Sequence, residues 1–238
     1  MQGESTLLRP KRPARPSTLT YPDFVKITAI QPQKNHAERL NVHVDGAFRL
    51  ALAAEIVLAE GLRVGDEMPE ARILELEARD QTWKAREAAL HLLAFRPRTA
   101  AELRRRLREK GYAPEVTDSV VERLGETGVV DDSSFAEMFV RDRVRLRPKG
   151  KRILAQELRA RGVDGEMAQA AIEDVMEREN TTDVDLARQA AARWRPRPGE
   201  DPQASRRRLY GFLARRGFGS EAIMAVLGEA LAPEAEEL

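Results

Sequence analysis

The residues of this 238-residue chain that invite a chemical reading are few. Asp131-Asp132 is the one acidic pair that invites a catalytic reading. It directly follows Gly128-Val129-Val130 and precedes Phe135, so an N-cap for the next helix is the more economical role. His36, His43 and His91 have no metal-ligand spacing, and with no cysteine in the chain there is no thiolate nucleophile, disulfide or Cys-type zinc site. Gly217-Phe218-Gly219 precedes a helical pattern as a dinucleotide turn would. The stretch before it is helical too, whereas the fingerprint needs a strand. Gly150-Lys151-Arg152 lacks the upstream glycine and the following Ser/Thr of a phosphate loop. No constellation supports catalysis or a cofactor, and the expectation is a non-enzymatic protein.

What remains is charge. One residue in three is charged, although the net charge is only +1, so the location of each sign matters. From Arg96 to Lys110 there are seven basic and two acidic residues, from Arg141 to Arg161 nine and two, and from Asp185 to Arg216 nine and three. The segments between them are acidic, with Glu115, Asp118, Glu122 and Glu126 in one and Glu166, Glu173, Asp174 and Glu177 in the next. This segregation predicts a basic stripe, with Arg104, Arg105, Arg108, Arg145, Arg147, Lys149, Lys151, Arg152, Arg206 and Arg207 as candidate contacts to a protein partner or to DNA phosphate. A solvated face carrying charge for solubility is the competing account. The stripe lacks interleaved aromatics, which favours phosphate backbone or an acidic protein groove over base stacking.

The elements that must carry these residues are mostly helical. Leu103, Leu107, Lys110, Gly111 and Tyr112, then Val116, Val120, Val121 and Leu124, recur as Leu154, Leu158, Arg161, Gly162 and Val163, then Met167, Ala171, Ile172 and Val175. They recur again as Leu209, Leu213, Arg216, Gly217 and Phe218, then Ala222, Val226, Leu227 and Ala230. Each copy reads as a helix with an i, i+4 apolar stripe closed by a C′ glycine, followed by a second amphipathic helix. A further helical stretch precedes each pair (Trp83 to Phe95, Phe135 to Leu146, Val184 to Trp194) and runs into Arg96-Pro97, Arg147-Pro148 or Arg195-Pro196, where proline ends it. The third copy has a longer connection, Arg195 to Pro202. Upstream, Val25, Ile27 and Ala29, then Leu40, Val42 and Val44, Asp45-Gly46, and Phe48, Leu50 and Leu52 alternate around a hairpin turn. Short helices are expected over Ala53 to Glu60 and Glu70 to Arg79.

The expected fold is therefore mainly α: three tandem three-helix repeats in an elongated curved array, preceded by a small N-terminal β-hairpin segment. The expected divisions are 1–22, a flexible basic Pro-rich arm; 23–80, the hairpin with short helices; 81–130, 131–180 and 181–231, the three units; and 232–238, an acidic tail. No run is long and apolar enough to span a bilayer, and the first residues lack a signal peptide's apolar core, so a cytoplasmic protein is expected.

Ala88 to Phe95 with Arg96-Pro97-Arg98-Thr99, Glu102-Leu103 through Lys110-Gly111-Tyr112, Gly128-Val129-Val130-Asp131-Asp132 with Phe135-Ala136, then Lys149-Gly150, Ile153, Glu157-Leu158 and Arg161-Gly162-Val163 together resemble the RecX family signature in its usual order. A monomer without cofactor is expected, and the resemblance implies a regulator that binds RecA and the RecA–DNA filament, lodges in the filament groove, and lowers ATP hydrolysis, strand exchange and co-protease activity. Weak DNA binding is also implied. A general phosphate-tracking DNA-binding protein is the alternative, and a scaffold for another helical or acidic partner is a third. Residues 1–22 match no motif of the family.

Overall fold

The computed structural model describes residues 24–229; the basic arm and the acidic tail named above lie outside the described residues. The chain divides into two compact bodies, one ending at Asp80 and one beginning at Gln81.

The first body is a four-stranded antiparallel sheet of order β3-β2-β1-β4, with β1 Phe24–Gln33, β2 His36–Val44, β3 Ala47–Ala53 and β4 Glu67–Pro69, plus helix α1 Ala54–Ala59. Asp45 (φ 51°) and Gly46 (φ 84°) take the two positive φ values of the β2–β3 turn. Val25, Ile27, Val42, Val44, Leu50 and Leu52 are buried on one face, as their alternation requires. Phe48 departs from that pattern and is 58% exposed. Val42 pairs with Leu50 but His43 pairs with Phe48, so Arg49 is an extra residue, and this bulge turns Phe48 to the outer face, edge-on to His43.

The two helices expected over Glu70 to Arg79 and Trp83 to Phe95 are one helix, α2 Glu70–Phe95. The intervening Asp80-Gln81-Thr82 contains no glycine or proline to break it. Asp80 lies inside it. Its buried carboxylate accepts from Arg39 Nη1 (3.1 Å) and Nη2 (2.9 Å) and from the Ala53 amide (3.0 Å), tying α2 to the sheet.

The second body contains the C-terminal half of α2 followed by α3 Ala100–Glu109, α4 Pro114–Glu126, α5 Asp132–Leu146, α6 Lys151–Ala160, α7 Gly165–Arg178, α8 Asp183–Ala192, α9 Pro202–Arg215 and α10 Ser220–Glu229. They form three three-helix repeats: α2–α4, α5–α7 and α8–α10. Each middle helix closes in the same hydrogen-bonded end. The Tyr112, Val163 and Phe218 amides reach the Leu107, Leu158 and Leu213 carbonyls, while the Gly111, Gly162 and Gly217 amides reach Arg108, Arg159 and Ala214. These are paired 6→1 and 5→2 bonds, and the glycines sit at φ 90°, 86° and 84°. Asp131 caps α5 through the Ser133 and Ser134 amides, which settles the acidic pair as a helix start. A hydrogen bond from the Ser134 hydroxyl holds its carboxyl below the usual aspartate range.

Ala85, Ala89, Leu103, Leu107, Val120, Val121, Leu124 and Val130 form the core of the first repeat. The second and third repeats share one continuous core, from Phe135 and Phe139 through Leu154, Leu158 and Ile172 to Leu186, Leu213 and Leu227.

Candidate interaction surface

The repeats are held in order by the ends of their middle helices. The Thr99 hydroxyl caps α3 by accepting from the Glu102 amide (3.1 Å) and donates to the Arg161 carbonyl at the end of α6 (2.6 Å). The corresponding Gly150, at the start of α6, donates its amide to the Arg216 carbonyl at the end of α9 (2.9 Å). Asp132 accepts from the Ala100 amide (2.8 Å), and Asp183 makes the equivalent, longer bond to the Lys151 amide (3.3 Å). The first residue of each following repeat thus caps the middle helix of the one before it.

This arrangement commits several basic residues to structure. Arg161 bonds the buried Glu102 (2.8 Å) and lies 5.1 Å from the Phe139 ring centroid, and Arg96 holds the other Glu102 oxygen (2.9 Å). Arg216 sits 4.5 Å from the Phe212 centroid and reaches the Pro148 carbonyl (3.4 Å).

The ten residues of the expected stripe fall into two groups. Arg104 and Arg108 both pair with Asp118 (3.2 and 3.0 Å), Arg105 lies 3.8 Å from Glu109, Arg145 makes a two-pronged bond to Glu179 (3.0 and 2.7 Å), and Lys149 pairs with Glu157. The hydrogen bond from Arg145 draws the Glu179 carboxyl below its usual range and raises its own guanidinium. Arg147, Lys151, Arg152, Arg206 and Arg207 have no carboxylate partner among the described residues; Arg152 reaches only the Ala214 carbonyl (3.3 Å). The signs segregated along the sequence are partly recombined in space, because Asp118 of α4 returns beside α3 and Glu179, just past the end of α7, beside α5.

The unneutralised charge concentrates in the third repeat. Arg193, Trp194 and Arg195, just past the end of α8, face Ala204, Arg207, Arg208, Gly211, Phe212 and Arg215 of α9 across a groove of about 720 Å³. Arg208 pairs with Glu200 and lies 5.3 Å from the Trp194 centroid. Among the described residues Arg193 and Arg195 bond only backbone carbonyls, of Leu146 (2.9 Å) and of Ala192 and Trp194 (2.6 and 2.9 Å). The expectation of a stripe without aromatics is therefore corrected here: two rings stand among five arginines. The signal was present in Arg193-Trp194-Arg195 and in the spacing of Arg207, Gly211 and Arg215 at i, i+4, i+8.

No group of three His, Asp or Glu side chains could hold a metal among the described residues. His91 packs edge-on to Phe95 and His36 lies beside Glu38. No helix of the described residues is long and apolar enough to cross a membrane.

Comparison with known proteins matches these parts in turn. The model of the regulatory protein RecX N-terminal domain matches residues 25–69, and those of the first, second and third RecX three-helix domains match 85–124, 131–172 and 181–227. The chain is 38% identical over 163 residues to the regulatory protein RecX of Mycolicibacterium smegmatis, covering 67% of this chain and 86% of that one. Against its Clostridium botulinum counterpart the identity is 28% over 209 residues, covering 87% and 97%. Among solved structures, a crystal structure of regulatory protein RecX superposes with a TM-score of 0.70 at 24% identity over 85% of this chain and 98% of that one. RecX from Lactobacillus salivarius gives 0.52 at 23%, over 63% and 97%. At these identities the likeness is one of fold.

Proposed function

This chain belongs to the RecX family, and from that premise we propose that it regulates the RecA recombinase by binding RecA and its filament on DNA. It lowers ATP hydrolysis, strand exchange and co-protease activity by occupying the filament groove, and it works by binding, with no catalytic step of its own. The single observation that carries this reading is the match of all four consecutive parts of the family to this chain in order. The basic residues supply the chemistry of contact. Arg147, Lys151, Arg152, Arg206 and Arg207 have no ion pair to break among the described residues. Arg104, Arg105, Arg108, Arg145 and Lys149 must first give up a carboxylate. Exposed pairs of this kind are worth about 1 kcal/mol or less, so an acidic partner can displace them.

The test is the rate of ATP hydrolysis by RecA on single-stranded DNA as this protein is titrated in, with its own DNA binding followed at the same salt. Inhibition at amounts well below roughly one protein per RecA, where little of it binds DNA, is the expected outcome. Inhibition that appears only as the protein saturates the DNA, and that vanishes with added DNA, would replace this reading with the second one: a phosphate-tracking DNA-binding protein. The groove of the third repeat is the observation that favours that second reading.

A further inference from the structure

We infer that the groove between the α8–α9 connection and α9 is a discrete site for single-stranded nucleic acid, seating one or two nucleotides by their phosphates and base. The inference deepens the nucleic-acid side of the function proposed above and does not require RecA. Arg193, Arg195, Arg207, Arg208 and Arg215 line the groove, and among the described residues no carboxylate does. Arg207 and Arg215 are exposed and without an ion-pair partner among the described residues. Guanidinium forks match phosphate oxygens in pairs, and an all-arginine lining presents flat cationic faces that lysine could not.

The walls decide between ligands. Trp194 and Phe212 are half-buried rings, each held by a guanidinium on its face, Arg208 at 5.3 Å and Arg216 at 4.5 Å. Bases that have left a duplex stack on such rings and on arginine planes. The other lining residues are Ala204 and Gly211, so there is no aliphatic slot for the side chain of an acidic peptide. Gly211 keeps the floor open: a Cβ there would lie 3.2 Å from Arg215 Nη1. A cleft of about 720 Å³ has the size of a small-ligand site.

The experiment uses the full chain. Of its two tryptophans, Trp83 is replaced (Trp83→Phe) so that Trp194 alone reports. Binding of a short labelled oligothymidylate is followed by anisotropy at several salt concentrations, and tryptophan emission is read in parallel. Expected results are quenching of Trp194 on binding, and for Arg207→Glu with Arg215→Glu at least a tenfold loss of affinity. The salt slope should fall by about 1.4, at about 0.7 per phosphate on a single strand. Arg63→Glu with Arg123→Glu makes the same change of net charge far from the groove in sequence and should leave affinity within about twofold. Circular dichroism confirms that each variant is folded. Unchanged affinity of the groove variant, equal loss in the two double variants, or an unquenched Trp194 would overturn the site. So would loss of oligoglutamate binding by the groove variant with oligothymidylate binding intact, which would assign the groove to an acidic peptide. Each of these results is read without RecA, so it stands apart from the outcome of the ATPase titration.

Discussion

The two junctions between repeats use one design closed by different chemistry. Between the first and second repeats, polar contacts join a close approach of Gly162 to Ala101: the Thr99 hydroxyl on the Arg161 carbonyl, and the buried Glu102 carboxylate held by Arg96 and Arg161. The apolar cores on either side stay separate. Between the second and third repeats Gly150 replaces Thr99 and Ile153 replaces Glu102, backbone meets backbone, and the core runs through. The difference teaches that the repeat pattern specifies where neighbours touch, while one or two positions per repeat specify whether the contact is ionic or apolar. Ionic contacts depend on salt and partner charge; apolar ones largely do not.

Replacing the glycines breaks the comparison with the largest effect. A Cβ at Gly150 would lie 2.2 Å from the Gly217 carbonyl oxygen, and one at Gly217 would lie 2.3 Å from Ile153 Cγ1. Gly217→Ala combines this crowding with a left-handed backbone at φ 84°, so urea unfolding should show a loss of about 3 kcal/mol or more. Gly111→Ala has the same kind of backbone but meets nothing within 4 Å, and should cost only about 1 kcal/mol. Equal losses would mean that the close approach carries no energy.

Next in size is Glu102→Gln, which leaves Arg96 and Arg161 without their carboxylate. Both arginines are partly exposed, which cuts the cost of a broken buried pair to about 2 kcal/mol. The loss should shrink as salt is raised, whereas Ile153→Val, about 1 kcal/mol, should be insensitive to it. Smaller again are the bridging caps. Asp132→Ala should cost about 1 kcal/mol and Asp183→Ala less, since its bond to the next helix start is longer, 3.3 Å against 2.8 Å. Amide exchange at Ala100 and Lys151 reads the two separately.

The smallest effect is on pH. Asp131, which opens the second repeat, titrates below the usual aspartate range because the Ser134 hydroxyl donates to its carboxylate. The folded value lies under the unfolded one, so its contribution is fully present above about pH 4 and is lost as pH falls through the folded value. The third repeat opens on Thr182, whose hydroxyl does not titrate, but its capping-box partner Asp185 is likewise held below the usual aspartate range by the Thr182 hydroxyl. Asp131→Asn should therefore flatten the acid limb of the urea midpoint against pH, and an unchanged limb would contradict the cap.

Much of this was legible in the residues. The three glycine-ended helices, the Asp45-Gly46 turn, the stops at Arg96-Pro97 and Arg147-Pro148 and the Asp131 cap depend on atoms within about five residues of one another. Local sterics and hydrogen bonding fix them, and the sequence carries that information directly. The bulge at Arg49 was not legible, because alternation alone assigns Phe48 to the inner face. The continuity of α2 was not legible, because polar Asp80-Gln81-Thr82 interrupts the apolar pattern and the arginine that accommodates the buried Asp80, Arg39, lies 41 positions away.

The candidate surface divides along the same line. Which segments are basic, and that they recur once per repeat, is a property of the sequence. Which cations stay available is not: Arg104 and Arg108 lose theirs to Asp118 and Arg145 to Glu179, while Arg207 and Arg215 keep theirs beside Trp194 and Phe212. The sequence determines the helices, their ends and their repetition, because those follow from neighbours along the chain. Only the tertiary structure decides which charges cancel and which rings stand among the remaining ones, because Coulomb and stacking energies depend on distances that chain-remote side chains acquire only when the helices pack.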